Sequence, residues 1–493
     1  MKQKRIMAAA LAAALLIGTM TACGDTDTEQ LGTQDTAAKD TTAGISAEPS
    51  IYDVLQAQDY GGYEFRILNT TSNFAYTNIG EYGQTGEKLD DTIFERNNAA
   101  AEALNIQFSI ESLKYSTSNS LIQNVCLAGE DAYDIYTQSI DQIVIHAMNG
   151  YVVDASEIDT LSFDHPWWNR VAIDSVMLGD SIYVFFGDLH LGFHESFTGV
   201  VFNKAILNEL DLEDPYQMVH ENRWTLDAMI EMMMEAKSDM DGDGKWTVND
   251  RYPFTMYESN ASIGFVVTGT SDIIPRGADN LPVWNGLDEQ IVDIYNKVAG
   301  TLFADRRNNA AYAAGEVAGS TLSKYVAMMA TGKTLFLITQ LGVLKLLRDM
   351  EYEIGIVPMP KYDAEQENYR SNIFYGANGL AVPITNSDLD RTGVVLEHMA
   401  AYSHETVRDV YFNETLDFKY IQDEDGHEML DLILANGYLN LSCVYGWGGL
   451  SSLIMKNMNA GKTDILSKVE SVSPKVESDI AATLEAFQEV EAY

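Results

Sequence analysis

Asp239, Asp241, Asp243 and Asp250 occupy positions 1, 3, 5 and 12 of a twelve-residue run whose sixth position is Gly244. This is the spacing of a calcium loop, in which carboxylates and the backbone carbonyl at position 7, here Lys245, surround one hard cation. Asp250 is one methylene shorter than the glutamate usual at position 12, and Asp423-Glu424-Asp425-Gly426 lacks the spacing of a second copy. A single structural Ca2+ is therefore expected. His190 and His194 stand four residues apart and would share a metal on a helix. Gly192 between them and the strand-like run Ile182 to Phe186 before them argue against a helix, so the pair is read as cleft lining or packing, with His190 kept as a ligand contact.

Covalent chemistry finds little support. Gly332-Lys333-Thr334 and Gly461-Lys462-Thr463 resemble the end of a phosphate loop, but Ala327 and Lys456 stand where its first glycine belongs. No nucleophile elbow, H-E-x-x-H or spaced Cys/His cluster occurs, and Cys126 and Cys443 sit in apolar surroundings as buried thiols. With 73 acids a carboxylate pair is easy to find, so a secreted glycoside hydrolase is the enzymatic alternative, and a calcium-dependent adhesion module is a third class. Aromatic residues say more. The 26 Tyr, 18 Phe and 6 Trp supply flat apolar faces on which a pyranose can stack while amides and carboxylates take its hydroxyls. Phe74, Trp168, Tyr375 and Trp447 are singled out, the last because glycines flank it in Tyr445-Gly446-Trp447-Gly448-Gly449.

The elements that must position these groups alternate. Tyr63 to Leu68 reads as a strand; Leu89, Ile93, Ala100 and Leu104 mark one helix face; Ile106 to Ile110 resumes strand, and a helix through Leu121, Ile122 and Val125 leads to Tyr133-Asp134-Ile135-Tyr136. This order predicts an open, mostly parallel sheet. Val200-Val201-Phe202, Thr334 to Ile338, Glu353 to Val357 and Gly379 to Ile384 are further strands. Thr225 caps a helix with Leu226, Met229, Ile230 and Met233 inward and Trp224 as its staple. Ser473-Pro474 opens a terminal helix. Two α/β lobes are expected in the 493 residues, and 46% hydrophobic content is enough to give each a core. The balance of 31 Lys+Arg against 73 Asp+Glu, a net charge of −42, excludes binding to nucleic acid.

The chain starts with Lys2, Lys4 and Arg5 before an apolar stretch from Met7 to Ile17, an export signal over residues 1–22. Met20-Thr21-Ala22-Cys23 resembles a bacterial lipobox, which implies lipidation at Cys23 and a place on the outer face of the cell membrane. Residues 23–50 contain six Thr, six Asp/Glu and no aromatic, and are read as a solvated tether. The lipid anchor, rather than the acidic surface, is the expected membrane contact.

Leu89-Asp90-Asp91-Thr92-Ile93-Phe94-Glu95-Arg96-Asn97, Pro166-Trp167-Trp168-Asn169, Val200-Val201-Phe202-Asn203-Lys204, Arg223-Trp224-Thr225-Leu226-Asp227, Gly355-Ile356-Val357-Pro358-Met359-Pro360 and the Trp447 region, taken in order, resemble the family 1 extracellular solute-binding proteins of bacterial ABC importers. The resemblance implies an α/β, two-lobed type II periplasmic-binding-protein fold with discontinuous lobes and a central ligand cleft. Its N-lobe would comprise residues 51–195 and 379–440, its C-lobe 196–378 and 441–493, with chain crossings near 190–200, 374–382 and 435–445. It further implies a monomer that closes on an oligosaccharide and delivers it to the permease subunits without chemistry. In sugar-binding relatives an aromatic at the start of the C-lobe helix stacks on the ligand, and Trp447 matches that position.

Overall fold

The computed structural model describes residue 55 and residues 57–72, 75–257, 262–318, 320, 322–412 and 424–491, so Cys23, the export segment, the tether and Phe74 lie outside the described residues. Strand β1 (Tyr63–Thr71) pairs in parallel with β2 (Ile106–Lys114), placing Phe65 opposite Phe108, and with β3 (Ile135–Ser139), placing Ile67 opposite Ile135. The helices Lys88–Leu104 and Tyr115–Ala128 make the crossovers that parallel neighbours require. Strands β4 (Thr198–Asn203), β5 (Tyr252–Met256), β6 (Thr334–Gln340) and β7 (Ile354–Pro358) form a second sheet in the order β5-β6-β4-β7. The chain then passes through β8 (Ser371–Asn372) and re-enters the first sheet as β9 (Asn378–Ala381), antiparallel to β3. Strand β10 (Gly437–Tyr438) pairs with β8.

The expectation of a mostly parallel sheet fits β2-β1-β3 and fails in the second sheet, where β4 is antiparallel to both neighbours and only β5 and β6 run together. Both β4 and β9 enter a sheet from the other one, so no local crossover helix fixes their direction. The second sheet is apolar on both faces: β4, β5 and β7 are buried throughout, with Phe202 paired to Phe336 and Val200 flanked by Ile338 and Val357. Thr225 caps the helix Leu226–Ala236 by accepting from the Ala228 amide at 3.3 Å. Trp224 before it is fully buried, and its indole N–H donates to the Pro358 carbonyl at 2.8 Å, which ties this helix to the end of β7.

One boundary differs. The terminal helix runs over Ile465–Glu491 and contains Pro474, where the sequence suggested its start. Proline removes one backbone donor and crowds the preceding turn. Buried Val469, Val476, Ile480 and Phe487 lie on both sides of it and hold the helix through the break. Among the described residues no helix is long and apolar enough to cross a membrane.

Candidate functional site

Strand β4 starts just after the 3-10 turn Leu191–Ser196. There the Ser196 carbonyl accepts from the Phe374 amide at 3.0 Å, the Ile373 amide donates to Tyr438, and the Ser371 amide donates to Asn436. Three passages of chain between the sheets thus lie side by side. Their position orients everything else. The start of β4 and the start of β9 lie at these passages, so strand direction places the ends of β5 and β6 on one wall of the cleft and the ends of β1, β2 and β3 on the other.

Tyr115 follows β2 and is 42% exposed; Tyr257 follows β5 and is 52% exposed, with Tyr325 edge-on to it at 5.5 Å between ring centroids. Half-buried Tyr375 stands in the passage between β8 and β9, with Phe374 5.2 Å away. Asp141, in the first turn of the helix Ile140–Met148, lies close enough to Tyr115 and Tyr375 to act on both hydroxyls. Burial raises the hydroxyl pKa of Tyr115 and Tyr375, and the Asp141 carboxylate adds to the rise in both. Aromatic faces, phenolic hydroxyls and a carboxylate therefore stand at the cleft-side strand ends of the two sheets, a combination that can bind a polar ligand with apolar faces.

The floor of the cleft is electrostatic. Glu195 is 4% exposed and accepts from the Tyr76 amide (3.0 Å) and the Tyr411 hydroxyl (3.0 Å), both on the side of the first sheet. From the second sheet's side Lys345, in the turn Leu341–Leu346 after β6, donates to it at 3.1 Å. One buried carboxylate thus joins both walls. Gly192 permits this crossing, since a Cβ there would lie 2.4 Å from the Tyr76 carbonyl oxygen. Nearby, Asp188 pairs with His194 Nε2 at 3.0 Å and His404 Nδ1 at 2.5 Å. Burial pushes the Asp188 pKa up, but the hydrogen bonds from the two histidines outweigh it and hold the group at about 2.

His190 is buried beside this cluster, both of its ring nitrogens lack a partner among the described residues, and burial pushes its pKa down to about 4. It and His194 do not form a helical i, i+4 pair, because His190 precedes the 3-10 turn. Trp168 stands in the core of the first lobe. Its indole N–H and that of Trp167 donate to the buried carboxylate of Glu397 at 3.1 and 2.7 Å, and Phe163 and Phe185 pack edge-on against its ring.

Trp447 corrects the expectation of an open ring. It is 1% exposed, donates to Thr483 Oγ1 at 2.8 Å and stacks on Tyr445 at 4.7 Å with planes 6° apart. Of the flanking glycines, Gly446 and Gly449 supply positive φ in open space, and Gly448 serves close packing. At Gly448 φ is 60° and a Cβ would fall 2.4 Å from Val476, where the terminal helix crosses the turn. Cys126 and Cys443 are half-buried free thiols whose pKa burial raises to about 11.

In the acidic loop, Asp239 accepts from the amides of Gly242 (2.7 Å) and Gly244 (2.8 Å), and carboxylate oxygens of Asp239, Asp241 and Asp243 lie within 4.8 Å of one another. Lys245 follows with its amide donating to Asp243 at 2.7 Å. Asp250 stands apart: fully buried, it accepts from the Met240 amide at 3.0 Å and the Thr247 amide at 2.7 Å. Asp141, Glu195, Tyr115 and Tyr257 were missed from sequence. Glu195 directly follows the histidine pair, and the two tyrosines end predicted or short strands, so position at a strand terminus was the available signal.

No family model matches the sequence, and no curated protein is similar to it in sequence. Solved structures do match. An ABC substrate-binding protein from Listeria monocytogenes in complex with cycloalternan superposes with a TM-score of 0.55 at 14% identity, over 85% of this chain and 99% of its own. A cyclo/maltodextrin-binding protein complexed with maltotetraose gives 0.53 at 13% identity over 86% and 96%. A sugar transporter from Rhizobium etli in an open conformation gives 0.52 at 15% over 87% and 99%. The likeness spans nearly the whole of each neighbour. The chain therefore has the two-lobed α/β fold, with its central cleft, of the extracellular solute-binding proteins that serve ABC importers.

Proposed function

We propose that this protein captures a carbohydrate, an oligosaccharide in preference to a single sugar, between its two lobes and hands it unchanged to the permease of an ABC importer. The observation that carries this reading is the placement of Tyr115, Tyr375 and Asp141 opposite Tyr257 and Tyr325 at the facing edges of the two sheets. Ring faces spread along both walls suit a ligand of several sugar units, and a ligand touching both walls binds the closed form better and so shifts the equilibrium toward closure. The bound sugars of similarly folded proteins support the ligand class. The lipobox-like Cys23 supports attachment to the outer face of the membrane. We further propose Ca2+ at Asp239, Asp241 and Asp243, supported by the convergence of their carboxylates, with Asp250 holding the loop closed through backbone amides.

A thermal-shift screen of the protein against a panel of oligosaccharides tests the reading, because a ligand that binds only the native state raises the midpoint by mass action. A glycan that raises the midpoint and is recovered intact is the expected result. Hydrolysis of the glycan would favour an enzyme, and a panel with no hit, amino acids and peptides being stabilising instead, would remove the carbohydrate.

A further inference from the structure

At the opposite edge of the second sheet, away from the cleft, a cavity of about 190 Å³ opens among Asn203, Glu209, Met240, Arg251, Lys333 and Tyr352. It sits where β4 ends and where β5, β6 and β7 start. Three nitrogen donors border it. Asn203 is fully buried; its Oδ1 accepts from the amides of Ala205 (2.9 Å) and Ile206 (3.2 Å), which fixes the amide orientation and leaves Nδ2 with no partner. A buried N–H of this kind is costly unless something occupies the space before it. Arg251, also buried, spends Nε on the Ala236 carbonyl (3.0 Å) and one N–H of Nη1 on Glu209 (2.8 Å), which leaves the second N–H of Nη1 and both of Nη2. Lys333 pairs with no carboxylate among the described residues. Glu209, the lining acid, is already engaged by Arg251.

We propose that this cavity is a binding site for a small oxyanion, held by Asn203 Nδ2, Arg251 and Lys333. Two cations and a buried amide donor lining one open cavity match the acceptor oxygens of a phosphate, sulfate or carboxylate group. In a chain of net charge −42 a cavity lined by two cations against one acid, Glu209, is a local exception to the surrounding field. Met240 lines the same cavity and belongs to the acidic loop, so anion and loop are mechanically adjacent.

Calorimetric titration of the full-length protein with sodium phosphate, sulfate and acetate at low ionic strength tests the site, and its failure would leave the cleft reading untouched. One saturable site is expected. Lys333→Met should weaken it by roughly tenfold or more, the scale of one charge-assisted hydrogen bond. Asn203→Asp keeps the capping oxygen and replaces the facing N–H by a second oxygen, and should abolish binding. Stronger binding of phosphate and sulfate than of acetate assigns a tetrahedral anion, the reverse a carboxylate, and either supports the site. Absence of saturable binding of all three anions, or binding unchanged in Lys333→Met, overturns it. Because Lys333 is only half-buried, its variant decides the matter even if Asn203→Asp does not fold.

Discussion

Replacing Trp447 by alanine separates a core ring from a ligand platform. The ring is 1% exposed, stacked on Tyr445 and pinned to Thr483, between a turn and the terminal helix. A buried Trp cut to Ala costs about 3–5 kcal/mol, because the lost burial is joined by a cavity that packed neighbours only partly fill. Thr483 loses little in that variant, since its hydroxyl also donates to the Asp479 carbonyl at 2.9 Å. The converse change, Thr483→Val, leaves a buried indole N–H without an acceptor and should cost about 1–3 kcal/mol. In the double variant that N–H no longer exists, so the Thr483 change should cost less there, with a coupling of about 0.5–3 kcal/mol. Urea unfolding of the wild type, both single variants and the double variant measures all three quantities. Calorimetric affinity for a glycan identified by screening should be unchanged in Trp447→Ala. A loss of affinity by one to two decades with the unfolding midpoint intact would refute the packing argument and return Trp447 to the cleft.

Tyr257→Ala and Tyr115→Ala should each lower glycan affinity by about 1–3 kcal/mol, or one to two decades, with stability changed by no more than about 0.5 kcal/mol, as calorimetry and urea unfolding would record. Calcium at about 10⁻⁴ to 10⁻³ M should raise the thermal midpoint of the wild type and leave that of Asp241→Ala unmoved. Glu195→Ala strips the shared acceptor from Lys345 and Tyr411 and should cost about 3–5 kcal/mol of stability, whereas Glu195→Gln, which keeps one acceptor oxygen, should cost less. Acid should act in two steps. His190 binds a proton in the unfolded chain near pH 6.5 but only near pH 4 when folded, so stability should fall as pH drops from 6.5 to 4, and His190→Gln should flatten that limb. The depressed pKa of Asp188 contributes stability above the ordinary aspartate range, which should be lost between about pH 4 and 2.

Local pattern and long-range packing divided the information in this sequence unevenly. The strand at Val200-Val201-Phe202 and the helix capped by Thr225 were legible because their signals are carried by adjacent residues: a β-branched run, a hydroxyl before an amphipathic stretch. The start of the terminal helix was misplaced because Pro474 gives a strong local stop signal, while the contacts that override it come from Val469 and Val476 packing on distant parts of the chain. Trp447 failed for the same reason. Its glycine neighbours suggest exposure when read alone, yet Val476 and Thr483, some thirty residues on, close over the turn, and Val476 approaches closely at Gly448. Phe74 lies outside the described residues, and Tyr375 stands in a passage between the lobes. The walls of the cleft were invisible for a further reason. Tyr115 and Tyr257 are separated by more than a hundred residues and become neighbours in function only through strand direction, which places the ends of β2 and β5 on facing edges. A residue's role there depends less on its own flanks than on which end of which strand it follows, and that is decided by the antiparallel entry of β4 and β9, the one feature of the topology that no local periodicity encodes.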